Sequence, residues 1–150
     1  MSFMLPAAIE VLLVDDNPGD VRLTREALLE GRIAISLTVA NHGLEALHLL
    51  RPKDGAASGY VPDLILLDLN MPIMDGRELL QIIKADASLR KIPVVVLTTS
   101  QAEADILKAY DLHANCYIVK PVELEPFLAI VKSIESFWLA VVKLPAGRSQ

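Results

Sequence analysis

The sequence predicts an α/β protein with a doubly wound parallel sheet, a three-layer sandwich of (βα)5 type. Three observations carry this: five short apolar segments, a helix-period segment after each, and polar residues where four of the apolar runs stop. Runs that are apolar at consecutive positions belong to strands covered on both faces, and right-handed crossovers then make the sheet parallel. Ligands of such sheets bind at the carboxyl ends of the strands.

In order along the chain, Ile9–Val14, Leu64–Leu67 and Val94–Leu97 are Val-, Leu- and Ile-rich and read as buried strands. Ile35–Val39 alternates more and Cys116–Val119 is short, so both belong nearer the sheet margins. The first helix spans about residues 18–30: Asn17 caps it, Pro18 fits its first turn, and Gly31 can end it in the left-handed region. Further helices fit Leu44–Leu50, Glu78–Ala85, Ala102–Tyr110 with Ser100 as cap, and a long last one from Glu123 to Val142. Residues 52–62, with two glycines and two prolines, read as a surface loop.

A chain of 150 residues, 53% apolar and 22% charged, holds one self-sufficient core. The expected organisation is an extension over 1–8, one domain over 9–142 and a tail over 143–150. A net charge of −5 gives no general attraction to nucleic acid or anionic lipid. The lone Cys116 cannot form an internal disulfide, and the start MSFMLPAAIE has neither a basic region nor a long apolar core, which points to the cytoplasm. Every apolar run is interrupted too early for a membrane span.

Asp15 and Asp16 follow the first apolar run, Asp68 the third, Thr98 the fourth and Lys120 the fifth. Three carboxylates meeting in one crevice repel one another, and a divalent cation relieves that repulsion. Mg²⁺ takes oxygen ligands, which these acids and a nearby backbone carbonyl supply; zinc would want Cys or His. With charge neutralised, an aspartate can accept a phosphoryl group as an acyl phosphate, while Lys120 and Thr98 stabilise the charge that accumulates on it. Pro121 after Lys120 can be cis or trans.

The set Asp15-Asp16-Asn17, Asp68-Leu-Asn70-Met-Pro72 with Asp75-Gly76, Thr98, and Tyr117-x-x-Lys120-Pro121 resembles the receiver domain of bacterial response regulators over roughly residues 9–135. The resemblance implies a flavodoxin-like fold with strand order 2-1-3-4-5 and phosphorylation of Asp68 by a sensor histidine kinase. It also implies Mg²⁺ held by Asp15, Asp16, Asp68 and the Asn70 carbonyl, contacts from Thr98 and Lys120 to the phosphoryl group, and Tyr117 as an aromatic switch coupled to Thr98. A narrower likeness, in Asp16-Asn-Pro-Gly-Asp20, the stretch 112–121 and Phe137-Trp-Leu, is to the single-domain regulators paired with phytochrome kinases, so a bacteriophytochrome is an implied partner.

Blander roles exist for each residue. Asp15 and Asp16 can assist a helix cap, Asp68 can be a turn residue, Lys120 a solvated lysine and Tyr117 an ordinary core aromatic. His42, His48 and His113 read as structural or solvated, and Cys116 as a small buried thiol. The last helix carries an apolar arc wider than one sheet-packing stripe, which suggests a homodimer anchored by Phe137 and Trp138. A rival function is a phosphatase or phosphotransferase forming an aspartyl-phosphate on a small substrate, but such an enzyme wants its nucleophile on the first strand and a second Asp two residues on, where this chain has Asn70. A flavin or nucleotide module would want a glycine-rich loop after the first strand, where Asp15 and Asp16 stand.

Overall fold

The computed structural model describes residues 9–29, 34–51, 60–69, 76–109 and 116–133. The order is β1 (Ile9–Val14), α1 (Pro18–Leu29), β2 (Ile35–Ala40), α2 (Gly43–Leu50), β3 (Leu64–Asp68), α3 (Gly76–Ala85), β4 (Val94–Thr98), α4 (Gln101–Ala109), β5 (Cys116–Val119) and α5 (Leu124–Ser133). All four strand pairings are parallel, in the order β2-β1-β3-β4-β5. The two segments expected at the margins, β2 and β5, are the edges.

Side chains alternate along each strand, so consecutive apolar residues feed two cores. Leu12, Val14, Ile65, Leu67, Val94 and Val96 face α2 and α3, where Leu47, Leu79 and Ile83 meet them. Val11, Leu13, Leu64, Leu66, Val95 and Leu97 face the other way, against Val21 and Leu28 of α1 and Phe127 of α5. Phe127 is fully buried, and truncating it to Ala would cost about 3–5 kcal/mol.

Helix starts differ from the sequence reading for local reasons. α2 begins at Gly43, not Leu44, because His42 is its N-cap and accepts the Glu45 amide on Nδ1 at 3.2 Å. α3 begins at Gly76, two residues before Glu78, because Gly76 donates its amide to the Leu69 carbonyl at 3.1 Å. A Cβ at Gly76 would lie 2.6 Å from both the Asp68 carbonyl oxygen and Leu69 Cα, so only glycine lets the helix start so close to β3. α4 starts at Gln101 under Ser100, whose Oγ accepts the Glu103 amide at 3.1 Å; Glu103 reaches back to the Thr99 amide at 3.0 Å. Cys116 is half-buried, not fully enclosed, as suits an edge strand. Gly31 and Tyr110, the expected loop over 52–59, His113 and the expected continuation of the last helix beyond Ser133, with Phe137 and Trp138, lie outside the described residues.

Candidate functional site

Strand register assembles the site. Val14 pairs with Leu67, so Asp15 and Asp68, one step further along each strand, stand at the same level. Asp68 pairs with Leu97 and Thr98 with Val119, and the Lys120 amide donates to the Thr98 carbonyl at 2.8 Å. Adjacent strands are about 4.8 Å apart, within reach of short carboxylates. The two-residue alternation then sorts the side chains. Asp15 follows Leu13, Asp68 follows Leu66 and Lys120 follows Ile118, all on the α1/α5 face; Asp16 and Thr98 take the parity of Val14 and Val96 on the α2/α3 face.

The distances agree with that sorting. Lys120 Nζ lies 3.1 Å from Asp68 Oδ2, 3.2 Å from Asp15 Oδ2 and 2.9 Å from Asp20 Oδ2, the last from the first turn of α1. The ammonium donates hydrogen bonds to Asp20 and Asp68. Its approach to Asp15 is an ion pair by distance but lacks hydrogen-bond geometry, which leaves Asp15 Oδ2 buried without a hydrogen bond. The other Asp15 oxygen, Oδ1, accepts the Asn17 amide at 3.0 Å. The Lys120-Pro121 peptide bond is cis.

Asp15 is fully buried and Asp68 nearly so, whereas Asp16 is exposed at the mouth. Burial pushes the Asp15 carboxyl above its usual range, aided by the Asp68 charge and opposed by the Asn17 amide and Lys120. Burial alone would lower the Lys120 ammonium; the hydrogen bond it donates to Asp20 and the charges of Asp15 and Asp68 outweigh it and raise the group above its ordinary value. Thr98 is buried and its hydroxyl donates to the Ser100 carbonyl at 3.0 Å. Tyr117 is half-buried against the α2/α3 core.

Asp15, Asp16 and Asp68 each offer an oxygen, all within 4.8 Å of one another. Hard divalent cations bind oxygens at about 2.0–2.6 Å, so these three can share one ion. The donor set fits: it is all oxygen, and Asp15 Oδ2 is a buried acceptor whose hydrogen-bonding capacity is unmet. A single ammonium among four carboxylates also leaves negative charge for a cation to balance. Asn70, the expected source of a further oxygen, lies outside the described residues. Asp20 is the one site residue the sequence reading did not assign a role; its signal was an acid one helical turn after Asp16, on the helix that starts at the end of β1.

A family model described as a response regulator receiver domain matches residues 11–132. The response regulator Rcp1 of Synechocystis sp. is 46% identical over 137 residues, covering 91% of this chain and 93% of that protein. Among solved structures, the bacteriophytochrome response regulator AtBRR superposes with a TM-score of 0.78 at 41% identity, covering 89% of this chain and 96% of that one. The phosphorylated cyanobacterial phytochrome response regulator RcpA gives 0.69 at 48%, covering 90% and 96%. The Mn²⁺-bound form of Rcp1 gives 0.66 at 44%, covering 87% and 94%. With buried acids and a lysine at the strand ends of a β2-β1-β3-β4-β5 sheet, and a family match over most of its length, this chain belongs to the response regulator receiver domains and is a phospho-acceptor of two-component signalling.

Proposed function

We propose that Asp68 is the phosphoryl acceptor, that Asp15, Asp16, Asp68 and the Asn70 carbonyl hold Mg²⁺, and that the donor is the phosphohistidine of a phytochrome-type sensor kinase. The observation that carries this reading is the Lys120 ammonium shared between Asp68 and Asp15 at the ends of adjacent strands. Asp15 is fully enclosed and Asp16 stands at the mouth, while Asp68, 4% exposed, accepts a hydrogen bond from Lys120. An Asp68 carboxylate oxygen attacks phosphorus; the P–O bond forms as the P–N bond to imidazole breaks, and the departing nitrogen keeps the electron pair. The bound cation supplies charge neutralisation for the phosphoryl oxygens. Lys120 releases a carboxylate oxygen and takes up a phosphoryl oxygen.

Output follows from Thr98. Its hydroxyl has one proton, given to the Ser100 carbonyl, and turning it toward a phosphoryl oxygen withdraws one of that carbonyl's two donors, the other being the Ala104 amide in the first turn of α4. Tyr117, half-buried next to β4, is the aromatic that responds. The phytochrome assignment is supported by relatives of that description covering about nine-tenths of this chain. A homodimer through the last helix, with Phe137 and Trp138 as anchors, completes the reading and is tested by light scattering against concentration.

The central experiment is labelling by a phytochrome kinase or by acetyl phosphate, read on a phosphate-affinity gel. Wild type should be labelled with Mg²⁺ and not after chelation, and Asp68→Asn should take no label. Equal labelling of Asp68→Asn would refute the acceptor assignment. The phosphatase reading is not favoured, since residue 70 is Asn and not a second acid.

A further inference from the structure

A third carboxylate, beside those of Asp15 and Asp68, reaches Lys120, and the acceptor reading does not require it. Asp20 Oδ2 makes the shortest of the ammonium's three carboxylate contacts, 2.9 Å against 3.1 Å for Asp68 and 3.2 Å for Asp15. An acid in the first turn of a helix has two ordinary explanations: it complements the helix dipole, or it reaches back to the amide of the cap. The second is closed here, because Asn17, the cap, donates its amide to Asp15 Oδ1. The Asp20 amide is itself donated to Asn17 Oδ1 at 3.0 Å, which fixes its backbone, while its carboxylate crosses to the end of β5. A dipole role alone would leave that side chain in water; instead it grips an ammonium that is only 15% exposed.

We propose that Asp20 is a positioning residue for phosphoryl transfer: from α1 it holds the Lys120 ammonium beside Asp68, and it offsets that ammonium's charge so that the acidic cluster keeps its affinity for a divalent cation. This rests on the reading of Asp68 as acceptor. An ammonium has three protons to direct. One goes to Asp20 and one to Asp68, and Asp20 approaches from the helix whereas Asp15 and Asp68 approach from the strand ends. With Asp20 neutralised, Lys120 retains only Asp15 and Asp68 as charged partners among the described residues. It then competes more strongly with the metal for those two carboxylates, and it loses the anchor that sets its direction when Asp68 becomes an acyl phosphate.

The test compares the full chain with Asp20→Asn, which keeps an acceptor but not the charge, with Asp20→Ala, which keeps neither, and with Asp20→Glu, which keeps the charge. Glu26→Gln is the control, a charge removed from the exposed flank of the same helix. Metal affinity is measured by calorimetry with Mg²⁺ and Mn²⁺, and maximal labelling rate with acetyl phosphate at saturating metal. Asp20→Ala should weaken metal binding and slow labelling by about tenfold each, Asp20→Asn by less, and Asp20→Glu should recover most of the metal affinity. Glu26→Gln should leave both within about twofold. If cooperatively melting Asp20→Asn and Asp20→Ala stay within about twofold of wild type in both measurements, or if Glu26→Gln falls as far as they do, the proposal is wrong. Should Asp20→Ala not fold, the contrast between Asn and Glu decides it by the same margins. A wild type that takes no label, or an Asp68→Asn variant that takes as much, overturns the acceptor reading and this inference together.

Discussion

Two lysines of this chain are half-buried at opposite ends of the sheet, and their surroundings differ in kind. Lys120, past the carboxyl end of β5, sits among the carboxylates of Asp15, Asp20 and Asp68, and its ammonium is raised above its ordinary value although burial opposes this. Lys84, near the end of α3, donates to the backbone carbonyls of Arg90 at 3.2 Å and Ile92 at 3.1 Å before β4, and burial pulls its ammonium below the usual value. Carbonyl dipoles satisfy a lysine's protons without balancing its charge; carboxylates do both. The amino end of the sheet uses a lysine to close a loop. The carboxyl end uses one to hold together acids that a cation and a phosphoryl group can then claim.

The largest expected effect separates the two at once. Lys120→Met should lower the maximal rate of labelling by acetyl phosphate by about 10²–10³-fold, the scale for losing one donor aimed at developing charge, while Lys84→Met should leave that rate unchanged. Metal addition comes next. Thermal melts at a hundredfold excess of Mg²⁺ over its dissociation constant should show about 2.7 kcal/mol of stabilisation, lost in Asp16→Ala and retained in Lys84→Met. Gly76→Ala should destabilise by about 1–3 kcal/mol in urea titration, because its new methyl meets backbone at 2.6 Å where α3 leaves β3.

Lys84→Met itself should cost about 1 kcal/mol or less, since two hydrogen bonds are lost while a desolvated charge is removed. Its pH signature is more informative. With the folded-state value lowered below 10.5, the unfolded chain binds the extra proton between the two values, so this lysine makes stability rise as pH climbs through that interval. Urea melts across alkaline pH should show the rise in wild type and a weaker one in Lys84→Met.

Much of this was legible in the amino acids. Apolar runs at consecutive positions identified β1, β3 and β4, and the polar residues that stop those runs identified Asp15, Asp68 and Thr98, because a buried strand must change character where it leaves the core. Three features were not legible as such. Asp20 looks like an ordinary first-turn acid until the register of β5 brings Lys120 across to it, a contact over 100 residues of sequence that no local pattern encodes. Gly76 reads as part of a turn, and its need for a missing Cβ appears only once Leu69 lies beneath it. His42 offers no cap signal because imidazole rarely takes that place, yet its extended backbone and the Glu45 amide make it one. The far end of the predicted last helix, with Phe137 and Trp138, lies outside the described residues and is judged by the dimer test alone.

The His42 cap carries a chemical condition that a serine or aspartate would not impose. To accept the Glu45 amide, Nδ1 must present a lone pair, so the ring hydrogen has to reside on Nε2. An imidazolium, a donor at both nitrogens, would turn that clasp into a repulsion between two N–H groups. The entry to α2, a short distance in sequence from the end of β2, therefore depends on one tautomer of one ring, a condition that the oxygen caps Asn17 and Ser100 do not impose on α1 and α4.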